Sequence, residues 1–245
     1  MKALQLQCKA EMKRVLRNRY FVFWSLCMPI LFYFIFTRVV NTGASNQTEW
    51  QAHYLMSMTV FSVMGSSIMT LGIRMVQERT QGWSTYMRLT PLPDNVYFFA
   101  QMMGQTVIHM LSIVIIYIAG ALINHIHLTF AEWVLSGLWI LIGSCPFLAL
   151  GTVIGSMKKV DTAAGISNIL YMALAVSGGL WMPLSVMPKT MQRIGEWLPS
   201  YNFGNGAWDI IQGHSPEWKN MIILVFYFVF FMLLSKYIRR KQEAV

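Results

Sequence analysis

Acidic residues are scarce: ten aspartates and glutamates stand against nineteen lysines and arginines in 245 residues. Charged residues make up 12% of the chain, about half the roughly 25% of soluble domains. Between residues 95 and 131 there is none. A soluble core does not require a charge-free tract of that length. A bilayer core about 30 Å thick does, at roughly 20 apolar helical residues per crossing. Cysteine is rare too. Cys8, Cys27 and Cys145 have neither metal spacing nor a pairing pattern and read as small apolar fillers. No GxxxxGK[ST] loop is present to cradle a phosphate, and no HExxH to hold zinc. Gly65-Ser66-Ser67 lacks the setting of a nucleophile elbow, and His125 and His127 have no Cys or Asp beside them. No carboxylate interrupts an apolar run, so the usual proton relay of a secondary carrier is missing. There is no internal repeat and no low-complexity segment.

What is there is apolar, 56% of the chain, and it is arranged in six runs. Spans are expected near 20–40, 54–73, 100–123, 133–156, 163–182 and 220–238, each long enough to cross with some tilt. The fold class is an all-α polytopic membrane protein. Fifteen of the nineteen basic residues fall in 1–19, 74–99, 157–162 and 236–245. Arg38, Lys189, Arg193 and Lys219 fall on the other side. That positive-inside bias puts both termini in the cytoplasm and accounts for the net charge of +9 without nucleic acid. In residues 1–19, Leu4, Cys8, Met12 and Val15 share one helical face, with Lys2, Lys9, Lys13 and Arg17 away from it. This predicts an amphipathic helix lying on the inner interface, drawn to anionic lipid.

Few polar groups lie within the spans. Gln105, His109 and Asn168 are candidates to line a pathway, with interhelical hydrogen bonding as their plainer role, shared by Ser112. Gly151 and Gly155, four residues apart, predict close helix approach. The stretch 74–93, "RMVQERTQGWSTYMRLTPLP", predicts a short amphipathic helix from about Val76 to Leu89, ended by the bias of Pro91 on Thr90. Such a helix can dock in a groove of a soluble partner.

Together these features resemble a known family. "QERTQGWSTYMRLTPLP" is similar to an E-[RK]-x-x-G…L…[TS]-P pattern. "GGLWMPLSVMPKTMQRIGEWLPSYNFGNGAWDIIQG" resembles a P…LP…LP…Y signature after the fifth span. With the basic start, Pro29 in the first span and six spans lacking a nucleotide site, the chain resembles the permease subunit of an ATP-binding-cassette transporter of the type-2 exporter family. The resemblance covers nearly the whole chain.

It implies a single permease domain over 1–245 that works as a homodimer or beside a homologous permease, with the first and fifth spans near the two-fold axis. Residues 74–99 become a cytoplasmic coupling loop that meets a separate ABC ATPase. Glu78, Arg79, Gly82, Thr90 and Pro91 are its coupling residues, and Glu78 and Arg79 are expected to pair with charges on the ATPase. ATP and Mg belong to that partner, and this chain binds no cofactor or metal. The segment 183–218 is expected to re-enter the outer leaflet. Pro183 would end the fifth span, Pro188 start a short helix, Pro199 break it, and Gly204 to Gln212 form the return. Tyr201 belongs to the same segment. Export direction and a bacterial plasma membrane follow from the family. The substrate class is a drug, antibiotic, peptide or lipid-like molecule, since Met-rich linings adapt to many shapes. The alternatives are a membrane-embedded enzyme, for which no polar catalytic cluster is visible, and a non-ABC secondary carrier.

Overall fold

The computed structural model describes residues 19–40, 47–83 and 94–243. The expected interfacial helix at 1–18, and Thr90 and Pro91, lie outside the described residues. Every regular element among those described is helical. α1 runs Arg19–Phe34 and passes into a π-helical segment, Ile35–Val40. α2 (Gln47–Gly65), a second π-helical segment (Ser66–Leu71) and α3 (Gly72–Thr80) form one unbroken rod. α4 is Asp94–Asn124. α5 (Phe130–Gly143) and α6 (Cys145–Ile154) are separated by Ser144 alone. α7 (Val160–Ser177) leads to a 3-10 turn (Leu184–Val186), then α8 (Lys189–Gly195), α9 (Pro199–Ile211) and α10 (Trp218–Glu243).

Among the described residues, five stretches are long and apolar enough to cross a bilayer: Gln47–Thr80, Phe99–Asn124, Phe130–Ile154, Val160–Ser177 and Trp218–Lys241. Cys27–Val39 is a shorter apolar stretch. The molecule is thus an all-helical, polytopic membrane protein. The second span is longer than the expected 54–73 at both ends, because neither Gly72 nor the charged Arg74 and Glu78 stops the helix. No proline intervenes, and the charges find partners within the fold. The fourth span is interrupted at Ser144, where Pro146 in the first turn of α6 supplies no N–H to the preceding turn. The fifth span stops at Ser177, short of Pro183. Gly179 adopts φ 74° there and ends the helix in the left-handed conformation that glycine tolerates best.

The rod is the axis of the bundle. Every residue from Tyr54 to Ile68 is buried, as expected for a helix apolar on all faces. The expected close approach at Gly151 and Gly155 is present. A Cβ on Gly151 would stand 2.3 Å from the Ser67 carbonyl oxygen, and one on Gly155 would stand 2.8 Å from the Met75 side chain. α6 therefore lies directly against the π-segment and α3. α10 covers the far side of α6, with Thr152 Oγ1 donating to Ser235 Oγ at 3.0 Å. A capping box between Thr129 and Glu132 starts α5.

Candidate functional site

Glu78 and Arg79 sit in the last turn of the rod and point to different neighbours. Glu78 is 3% exposed. Its carboxylate accepts hydrogen bonds from the Tyr97 hydroxyl and from Gln101 Nε2 (2.6 Å), both on α4, and Arg74 approaches it at 3.7 Å from one turn earlier. Arg79 turns the other way and donates to the carbonyls of Ser156 (3.1 Å) and Gly155 at the end of α6. A guanidinium there supplies donors to carbonyls that the helix leaves unpaired and complements its negative end. Gln81 and Gly82 then close the helix, and Gly82 adopts φ 77° with no atom within 4 Å of where a Cβ would stand.

This arrangement differs from the separate helix expected from Val76 to Leu89. Val76, Glu78 and Arg79 belong to the end of a membrane span. The Glu78 carboxylate faces the protein interior, where burial and three neighbours of this chain hold it. The direct pairing with a charge of another subunit expected for Glu78 therefore does not match its surroundings.

The two residues on α4 that bind Glu78 begin a longer pattern. Tyr97, Gln101, Gln105 and His109 recur every four residues and so lie along one face of the helix. Gln101, Gln105 and His109 are buried. Gln101 Nε2 also reaches the Tyr97 hydroxyl at 2.6 Å. Gln105 Nε2 donates to the Ser66 carbonyl (3.3 Å) and to its hydroxyl. The His109 ring bridges two hydroxyls, Ser67 Oγ from Nε2 and Ser144 Oγ from Nδ1, each at 3.2 Å. Ser66 and Ser67 open the π-segment, and Ser144 is the break between α5 and α6. His109 thus touches two points at which spanning helices depart from α-geometry, the π-segment of the rod and the α5–α6 break. Polar groups at this depth must find partners inside the protein, and these departures provide the partners.

At the opposite end, Pro183 caps the 3-10 turn and Pro188 caps α8. Pro199 occupies the first turn of α9, so it opens that helix instead of breaking one, and the return piece starts there and not at Gly204. Its fixed φ and missing N–H suit that position. α9 is packed inward. Trp208 Nε1 donates to Ser57 Oγ (3.0 Å) and its ring stacks on His53 at 4.4 Å. Trp139 Nε1 donates to the Phe203 carbonyl (2.9 Å), and a Cβ on Gly143 would stand 2.7 Å from the Phe203 ring. Tyr201 meets Trp208 edge-on at 6.0 Å.

The structure therefore brings Gln105 and His109 together, one turn apart. Asn168 is elsewhere, on the exposed face of α7. Tyr97, Gln101, Ser66, Ser67 and Ser144 were absent from the expected site. The signal for the first two was present, as a four-residue polar period inside a charge-free tract. The serines had none, since a lone Ser in an apolar run marks no position.

The helices and their packing define the class, a polytopic helical membrane protein. Comparison with known proteins narrows it. Residues 37–237 match the family described as "ABC-2 family transporter protein". The chain is also 69% identical over 245 residues, all of both chains, to YvfS of Bacillus subtilis (strain 168), a protein named as a transport permease. The chain belongs to the ABC-2 family of transporters and is a transmembrane permease subunit. The family resemblance read from the motifs after the second and fifth spans is borne out.

Proposed function

We propose that two copies of this permease form an export pathway through a bacterial plasma membrane, driven by a separate ATP-hydrolysing subunit that docks at the α3 end. ABC-2 permeases generally work with an ATP-binding subunit. The observation that carries the reading is the double fastening of the rod. Glu78 ties its last turn to α4 and Arg79 ties it to α6. A push on the loop after Gly82 would enter a rod that runs through the whole bundle. The proposed docking segment follows the rod and begins at Gly82, while Glu78 and Arg79 position its root; Thr90 and Pro91 remain coupling candidates on the family resemblance alone. ATP and Mg are held by the partner.

The charge bias supports a cytoplasmic α3 end with both termini on that side. α1 and its π-helical extension, 16 and 6 residues, supply a sixth crossing. α9 reads as re-entrant. Ser57 lies about ten residues, ~15 Å, into α2, and Gly143 about thirteen residues, ~20 Å, into α5 at 1.5 Å per residue, and α9 touches both. Asn168 supports a dimer through α7. An exposed amide in mid-span is costly against lipid and is satisfied by a facing helix, and Gly165, one turn away, has open space around it. The cargo is an amphiphile of drug, antibiotic, peptide or lipid type.

The test is purification of the tagged chain from its native membrane in mild detergent. A stoichiometric ATPase should come with it, and an Asn168→Cys variant should cross-link to a second copy beyond the wild-type background. A chain that arrives without an ATPase would overturn the driven-permease reading. Absence of the cross-link would move the dimer interface away from α7.

A further inference from the structure

The Tyr97–His109 stripe does more than hold α4 to the rod. Its contacts lie in series along the bundle, with the steps from Gln101 to Gln105 and from Gln105 to His109 carried by the α4 helix itself. Glu78 meets Tyr97 and Gln101, Gln105 meets Ser66, and His109 meets Ser67 and Ser144. Gly143, next to Ser144, is pressed against Phe203 of α9, and Phe147 lies 5.2 Å from the same ring.

At His109 the hydrogen bonds cannot all be made at once. The Ser67 hydroxyl is placed to donate to the Val63 carbonyl (2.8 Å), and the Ser144 hydroxyl to the Leu141 carbonyl (2.7 Å). Each hydroxyl has one proton, and a neutral imidazole has one N–H. If Nε2 carries the proton, it donates to Ser67, and Ser144 must turn its proton from Leu141 to Nδ1. If Nδ1 carries it, Ser144 keeps Leu141 and Ser67 must leave Val63. The site therefore has two arrangements of similar make-up. One completes the bonding of the helix before the π-segment, and the other completes the bonding of the turn at the α5–α6 break.

We infer that the α4 stripe is a relay between the α3 end and α9, with His109 the positioning residue whose two hydrogen-bond arrangements set the π-segment of the rod against the Ser144 break. Its use in transport rests on the proposed docking of an ATPase at the α3 end, but the relay itself does not. Movement of Glu78 shifts Tyr97 and Gln101 because a buried carboxylate cannot give up its donors cheaply. The stripe passes that shift to Ser66 and His109. A choice between two discrete arrangements then reaches Gly143, which faces the Phe203 ring with no room for a side chain between them.

The full chain in lipid nanodiscs, without any ATPase, tests this. Tyr97→Phe removes one donor to Glu78 at the far end, and amide hydrogen exchange is read over Pro199–Ile211. The expected change is roughly 2- to 30-fold, the range that couplings along a connected network give. In a His109→Leu background the same change at Tyr97 should leave α9 exchange unaltered, and His109→Gln, which keeps a donor and an acceptor, should restore part of the response. In parallel, 15N shifts of the His109 ring report its tautomers, and their ratio should move on Tyr97→Phe. An exchange effect confined to α3 and α4, or equal in the His109→Leu background, would overturn the relay. An unchanged tautomer ratio would do so too, even if His109→Leu failed to fold. A missing ATPase partner would sink the proposed function and leave this result standing.

Discussion

The two ends of the bundle are held by different chemistry. At the α3 end, a carboxylate, two arginines and their hydrogen-bond partners fasten the rod. At the α9 end, indoles and phenols do so. Trp208 donates to Ser57, Trp139 to Phe203 and Tyr54 to the Trp181 carbonyl at 2.7 Å, while Phe61 stacks on Tyr171 at 4.5 Å. Aromatic contacts are individually modest and tolerate sliding, whereas buried charge-assisted bonds are strong and specific in geometry. One end is thus built to transmit position and the other to repack. That suits the proposed function, in which a partner pushes one end and the other opens.

The comparison can be broken most sharply at Glu78. Glu78→Ala removes the carboxylate that Arg74 approaches at 3.7 Å and that accepts from Tyr97 and Gln101. It should cost about 3 kcal/mol or more, as breaking buried pairs does, measured as thermal unfolding of the purified chain in detergent. A loss below about 1 kcal/mol would mean that the α3 end is no more tightly fastened than the other. Gly151→Ala comes next. The added methyl meets a backbone carbonyl at 2.3 Å, and overpacking of this kind costs ~1–3 kcal/mol. Gly165→Ala, with nothing of its own chain within 4 Å, should instead be neutral or gain a few tenths from helix propensity in the same assay on monomeric protein.

At the α9 end the effects should be smaller. Trp208→Phe keeps the aromatic packing and removes one neutral hydrogen bond to Ser57, for about 1 kcal/mol. Lys219→Ala removes an ammonium 5.4 Å from the Trp197 ring, and an exposed cation–π pair contributes about 0.5 kcal/mol. If Trp208→Phe proved as costly as Glu78→Ala, the α9 end would be a rigid cap, and repacking there would be ruled out.

Much of the site could be read before the fold was known. Gln105 and His109 stood out because amides and imidazoles are rare at membrane depth, and Gly82 for its place in the family motif, while its left-handed conformation was visible only in the structure. Glu78 was found for its motif but misjudged in direction. Its side chain follows the phase of a helix that runs on from the second span, and that continuity was hidden by charges that look like a boundary. Asn168 had the same polarity as Gln105 and a different fate, since α7 shows its amide-bearing face to the outside of the fold.

Composition and charge by themselves determined that this chain crosses a membrane repeatedly as helices, since backbone polar groups in hydrocarbon leave little alternative. Motif order determined its family. Only the tertiary structure decided which of two similar apolar helices became the axis. In the most apolar 18-residue stretch of Gln47–Thr80, 83% of residues are buried, against 17% in that of Trp218–Lys241, although the latter is the more hydropathic. Hydropathy measures affinity for an apolar medium, and lipid and protein interior are both apolar. What separates them is close packing against partners such as Gly151 and the α4 stripe, and those partners are far apart along the chain.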